Sequence, residues 1–407
     1  MNGRNGLALL IAMMIGSFQT TLFAQTKSDA HQIPPPRSGF TLQSQDRNFG
    51  MSVSARVQAR YVLEDLQSDA SHTFQIRRAR VKFKGHAFGE DNRLYLQLGF
   101  SPADMTGGLL SDEGSPRRVP LRDARIEFHQ LPWAELWIGQ MKVPYSRERL
   151  VSDAYLDLMD RSVLNDEFNL DRDIGMQVRA DGVGGRLGYA VGVFSGQGRN
   201  VYSSSALSGL FVSRVHLRWF GQLEQKTQGD LQRTFRPAAG MGLAYAYQPN
   251  APGDRGVHGH RPADGGTTDM ESATLDFTFK WQGWALEASM MARRGLRRAT
   301  EGQDSLDAAR NGWGWLTQLG WLIPQSRVEL VSRYAAVEPF STAAEPSALT
   351  PVHEVHAGLN YYLGGHDLKL QVDFGHRWAP HHGSHHKGTQ AASAPTQTLR
   401  LQVQMAL

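Results

Sequence analysis

Four basic residues occupy every second position of one segment, Arg78, Arg80, Lys82 and Lys84, with Ala79, Val81 and Phe83 between them and His86 next in the series. In a β-strand alternate side chains share a face, so the four cations would stand about 6 to 7 Å apart on one wall. Charges that close repel within the ~8 Å screening length of physiological salt. Such a row persists only where an anion moves along it or where acids lie opposite. Rows and rings of Arg and Lys are how pores select anions.

That chemistry needs long strands around a lumen, and the alternation of apolar and polar residues supplies them. In 51–63, Met51, Val53, Ala55, Val57, Ala59, Tyr61 and Leu63 take one face while Ser52, Ser54, Arg56, Gln58 and Arg60 take the other. The same period predicts strands over 76–87, 92–100, 121–129, 134–142, 173–180, 185–195, 211–220, 239–247, 271–281, 283–292, 313–323, 326–336, 353–363, 366–378 and 398–407. A helical period would scatter these apolar residues. Tight turns alternate with long connections, as in a transmembrane barrel with short periplasmic turns and long outer loops. Only the stretch from Gly221 to Ala238 breaks that rule. The expected fold is therefore an all-β, 16-stranded antiparallel transmembrane β-barrel. Trp133, Trp219, Trp281, Trp284 and Trp321 fall at one set of strand ends and Trp313, Trp315 and Trp378 at the other, as interfacial belts require, and only Trp137 falls mid-strand.

Strand phase then sorts the charges. The inward bases are Arg56, Arg60, Arg78, Arg80, Lys82, Lys84, Arg93, Arg125, Arg214 and Arg218 as the proposed anion path, joined by Arg179, Lys280, Lys369, Arg377 and Arg400. The inward acids are Asp123, Glu127, Glu135, Asp173, Asp276, Glu287, Glu329, Glu354 and Asp373. Two readings follow: an anion path, or a cross-strand ladder in which Asp123, Glu127 and their neighbours neutralise the arginines. The longest connection, 143–172, carries Arg147, Arg149 and Arg161 among several acids and is expected to fold inward as the constriction. Lys142 has the outward phase near the rim and stays outside the lumen set.

Length and composition agree with an exported barrel. Of 407 residues 42 are glycine and none is cysteine, which excludes disulfide scaffolds, thiolate metal sites and cysteine nucleophiles. Arg4, the apolar run Leu7 to Ile15 and Ala24 form a signal-peptide pattern over 1–24, and no later run is long enough for a membrane helix. Residues 25–50, with Pro34, Pro35 and Pro36, form an expected periplasmic lead, leaving 51–407 for the barrel. His381 to Lys387 (HHGSHHK) reads as adventitious metal binding, so no metal, cofactor or nucleic-acid partner is expected. No Ser, His and acid share a strand phase closely enough for a catalytic triad, so an enzyme is not expected.

Four strings carry a resemblance: FQIRRARVKFKG (Phe74 to Gly85), LRDARIEFHQLPWAELWIGQMKVPYSRERL (Leu121 to Leu150), DRDIGMQVRADG (Asp171 to Gly182) and GYAVGVFSGQG (Gly188 to Gly198). They resemble the phosphate-selective porin O and P family. The resemblance implies a trimeric outer-membrane porin with a basic lumen that favours phosphate or related anions. The terminal Leu407 departs from the phenylalanine with which such barrels usually end. The competing functions are an unselective diffusion porin, a lipid hydrolase with Ser and His at one rim, and a soluble exported glycan-binding sandwich.

Overall fold

A computed structural model describes residues 39–65, 70–105, 120–183, 185–201, 209–256, 265–298, 308–340, 347–380 and 395–407. The signal-peptide pattern and the HHGSHHK segment lie outside them. Sixteen strands follow a short first one, β1 (Phe40–Gln43). They are β2 (Gly50–Glu64), β3 (Ser71–His86), β4 (Asn92–Gly99), β5 (Leu121–Leu131), β6 (Ala134–Lys142), β7 (Arg172–Val183), β8 (Leu187–Phe194) and β9 (Leu210–Phe220) in the first half. The second half holds β10 (Ala238–Ala251), β11 (Thr267–Trp281), β12 (Trp284–Arg298), β13 (Gly312–Leu322), β14 (Val328–Pro339), β15 (Val352–Gly364), β16 (Leu368–Trp378) and β17 (Thr396–Ala406). Each pairs antiparallel with its neighbour, and β17 returns to β2 with Met405 opposite Val57. The sheet thus closes on itself, and no edge is left to be satisfied in hydrocarbon. Every strand expected from the alternation is present.

The soluble sandwich is excluded by that closure and by the outer face. Leu275, Val372, Phe374, Val403 and Met405 point outward and are exposed, as lipid-facing side chains must be. Trp284 stacks on Trp321 with centroids 5.2 Å apart at the turn end, and Trp315, Tyr334, His353 and Trp378 cluster at the opposite end. Residues 40–43, part of the expected lead, pair with Gly50–Val53 of β2, next to where Leu407 hydrogen-bonds Ala55. Phe277→Arg or Val372→Arg should cost roughly 2 to 4 kcal/mol if the residue sits at mid-bilayer. Heat-modifiable migration of the folded barrel measures this, and normal assembly of both variants would overturn the assigned strand phase.

Two segments enter the barrel. From the loop end, 143–171 folds in through α1 (Arg147–Leu150) and α2 (Val163–Phe168). Ser146 and Ser162 cap their first turns by accepting from the Arg149 and Asn165 amides. Met141, Val143, Tyr145, Val163, Leu164 and Phe168 pack on Ala244, Ala246, Met291, Leu316 and Ala335 of the wall. Those inward positions are mostly small or apolar, so the second half of the barrel has room for the loop and something to bind it. From the turn end, 221–237 enters and meets the loop, with Gln228 and Asp230 buried. What open space remains lies against the basic strands of the first half and, toward the loop end, against β15, β16 and β17.

Candidate functional site

The open space is two chambers in series. An outer one of ≈ 560 Å³ is lined by ten arginines and seven carboxylates. An inner one of ≈ 1010 Å³ is lined by thirteen Arg and Lys side chains against five carboxylates. Arg80, Arg149, Asp153, Arg161 and Arg172 line both, and so mark the neck between them.

Asp153, on the inward loop, organises the neck. It accepts from Arg56 Nη2 and from Arg80 Nη1, each at 2.5 Å, and forms an ion pair with Arg78 Nε at 2.9 Å. Burial acts to raise its carboxyl, but Arg80, Arg56 and Arg78 outweigh burial and hold it well below the usual carboxylate range. Asp160 of the same loop binds Arg60 at 2.5 Å and Arg400 at 3.0 Å. Arg80 also grips Asp104, which lies in the short helix α3 (Pro102–Met105), at 2.6 Å, and Arg122 reaches the same carboxylate at 3.0 Å. The loop acids therefore lock the loop onto β2, β3 and β17.

Each expected site residue has a definite place. Arg78 lines the outer chamber, Arg80, Arg149 and Arg161 the neck, and Lys82, Lys84, Arg125, Arg147 and Arg214 the inner chamber. Arg56 and Arg60 line neither, because the loop covers them and takes their charge through Asp153 and Asp160. Arg93 is exposed and donates to the Glu90 carbonyl at the turn-end rim, outside both chambers. Arg218 also lines neither and lies against Gly182. Arg147 is tied to Glu287 at 3.0 Å, Arg214 to Asp276 at 2.8 Å and Arg149 to Asp171. Arg161 donates to the Glu148 and Val151 carbonyls.

The ladder expected to neutralise the β3 bases is differently wired. Asp123 pairs with Arg172 at 3.0 Å and Glu127 with Arg125 at 2.6 Å. Among the described residues no ion pair involves Lys82 or Lys84. Arg125 is held between two rings, 4.0 Å from the Tyr95 centroid and 4.1 Å from that of Trp137, and Arg179 lies 4.3 Å over Trp137. This accounts for the one tryptophan found mid-strand. It fixes two guanidiniums on the chamber wall.

Strand phase misses Arg77, Arg122 and Lys142. The pairing of β2 with β3 shifts between Gln58 and Ala59, so Arg77 and Arg78 both reach the outer chamber. The pairing of β4 with β5 shifts between Gln97 and Leu98, which brings Arg122 in beside Asp123. In β6 the phase changes at Gly139, whose φ of 130° suits glycine and whose absent Cβ would meet the Ala124 carbonyl at 2.2 Å. Gln140 and Lys142 consequently face inward, and Lys142 Nζ donates to the Leu150 and Val151 carbonyls in the inner chamber. Lys142 therefore belongs to the lumen set that the sequence reading kept it out of. The consecutive pair Arg77–Arg78 was the one available signal of a bulge.

Comparison with known proteins agrees with this architecture. Residues 51–230 match the family model described as phosphate-selective porin O and P. The chain is a bacterial outer-membrane porin. OmpT, an outer membrane protein of Vibrio cholerae, superposes with a TM-score of 0.56 at 9% identity, over 90% of this chain and 99% of that one. Salmonella typhi OmpF, solved in complex with daunomycin, gives 0.54 at 13% identity over 89% and 100%. At these identities the likeness is one of fold. Among curated proteins none matches this porin.

Proposed function

We propose that this porin is a passive channel for small anions of the phosphate class. The observation that carries the reading is the inner chamber, where thirteen cations face five carboxylates and Lys82 and Lys84 stand without ion-pair partners among the described residues. In a narrow chamber walled by protein, uncompensated charges act together and raise local anion concentration. The family description adds phosphate as the preferred class. Phosphate would be held by several guanidiniums and ammoniums in turn, a geometry suited to passage without deep trapping. We further propose that the porin works as a homotrimer, as the resemblance implies.

An unselective diffusion porin is favoured by a different observation, the dense pairing at the neck, where Asp153 alone takes three arginines. Planar-bilayer recording in a salt gradient separates the two. Anion selectivity predicts a zero-current potential on the anion side and block of chloride current by added phosphate. A potential near zero with no block would establish the unselective channel. Chemical cross-linking in mild detergent reads the trimer.

A further inference from the structure

The connection from Gly221 to Pro237 is on the turn end, where every other connection is short, yet it runs into the lumen instead of over the rim. It is fixed at its base. Asp230 accepts from the Thr234 amide and hydroxyl and from the Gly283 amide, and Arg233 donates to the Leu322 and Ile323 carbonyls. Its tip reaches the inward loop. The Gln228 amide donates to the Tyr155 carbonyl and the Gly229 amide to Asp157, while the Gln228 side chain accepts from the Asp157 amide and donates to Glu287. Arg147 of the loop donates to the Gln225 and Thr227 carbonyls, and Lys280 of the wall donates to Thr227 and Gly229. Gly229 sits so close that a Cβ there would be 2.5 Å from Glu329 and 3.0 Å from Asp157. The free side of the same segment forms part of the inner chamber wall, with Glu224, Lys226 and Gln232 on it.

We propose that 221–237 is the second half of the constriction: a fixed insert that supports the inward loop from below, sets the bore of the inner chamber and excludes bulky anions there. It rests on the porin reading and not on anion preference. The bore is then a joint property of two segments entering from opposite ends, and 143–171 alone does not determine it. The insert also presents one base, Lys226, beside one acid, Glu224, to the chamber that Lys82 and Lys84 line, so a solute leaving the neck meets charge from the insert as well as from the wall.

Two experiments on the full-length porin test this. Replacing 224–232 by a short Gly-Ser link should raise single-channel conductance about twofold or more, since conduction follows the free cross-section. In liposome-swelling assays it should admit sugar phosphates that the parent excludes. The reversal potential should keep its sign, because Lys82, Lys84 and the neck arginines remain; loss of that sign together with the raised conductance would count against anion preference and not against the insert. Unchanged conductance and unchanged exclusion would overturn the proposal. Should the shortened chain not assemble, the test passes to Lys226→Cys, unambiguous in a chain without cysteine. Reaction with a bulky anionic methanethiosulfonate should cut conductance by half or more and be reversed by reductant. Complete labelling with unchanged current would show that the segment does not bound the path.

Discussion

Replacing Lys82 and Lys84 together by glutamate should abolish most of the channel's anion preference. Both line the inner chamber, and neither is neutralised by a described acid. The double reversal changes the local charge by four, a large change because Arg147, Arg214, Arg149 and Arg125 on the same wall are already paired with Glu287, Asp276, Asp171 and Glu127. At ~7 Å a unit charge acts on a passing ion with roughly 0.6 kcal/mol at the dielectric of water and about 2 kcal/mol at an effective value near 20. Screening leaves neighbouring sites coupled over ~8 Å. The expected fall in the anion-to-cation permeability ratio is on the order of tenfold. Block of chloride current by phosphate should weaken in parallel. Because no ion pair is broken, folding and conductance should change little, which separates this variant from substitutions at Arg80. Arg298→Glu is the control, since Arg298 is exposed and paired with Asp269 on the outer face. An unchanged reversal potential in the Lys82/Lys84 double variant would leave the inner chamber without a role in selectivity.

The barrel was legible in the sequence because lipid imposes a period of two on every strand, and hydrocarbon tolerates few exceptions. Strand number, pairing order and the aromatic belts all follow from that one constraint. The lumen imposes no such rule. Its inward residues answer to whatever fills the interior, and two partners here come from far along the chain. The phase of Arg56 and Arg60 is inward, but phase cannot reveal that Asp153 and Asp160 cover them. Nor can it follow a strand through a bulge, and Arg77, Arg122 and Lys142 each stand at an irregularity where one extra or kinked residue turns a cation inward. The unusual length of 221–237 was visible as an exception to the loop rule. Its path into the lumen was not, because the residues that receive it, Lys280, Glu287 and Asp157, are ordinary inward or loop charges until their partners are known.

Asp153→Asn should separate the mechanical role of the loop from its electrostatic one. The parent carboxylate is buried and binds three guanidiniums, of which Arg80 retains Asp104 and Arg78 retains Asp160 after the change. Arg56 retains no ion pair among the described residues and becomes a buried unpaired charge. Removing one member of a buried pair in this way costs about 3 to 5 kcal/mol. The variant should therefore melt well below the parent and show noisy, flickering conductance as the loop leaves β2 and β3. Its anion preference should rise, because the neck loses the one carboxylate that lines both chambers. A second substitution, Arg56→Gln, removes the orphaned charge and should restore much of the stability while leaving the raised preference in place. The pH dependence has a fixed sign. A carboxyl held below its unfolded value near ~3.9 contributes its stability above that value and loses it as pH falls through the folded one, so the parent should keep a quiet channel down to about pH 4 with respect to this contact. If Asp153→Asn melts like the parent and stays quiet, the loop is held by its apolar packing on Ala244, Met291 and Leu316, and the arginine contacts serve only to set the charge of the neck.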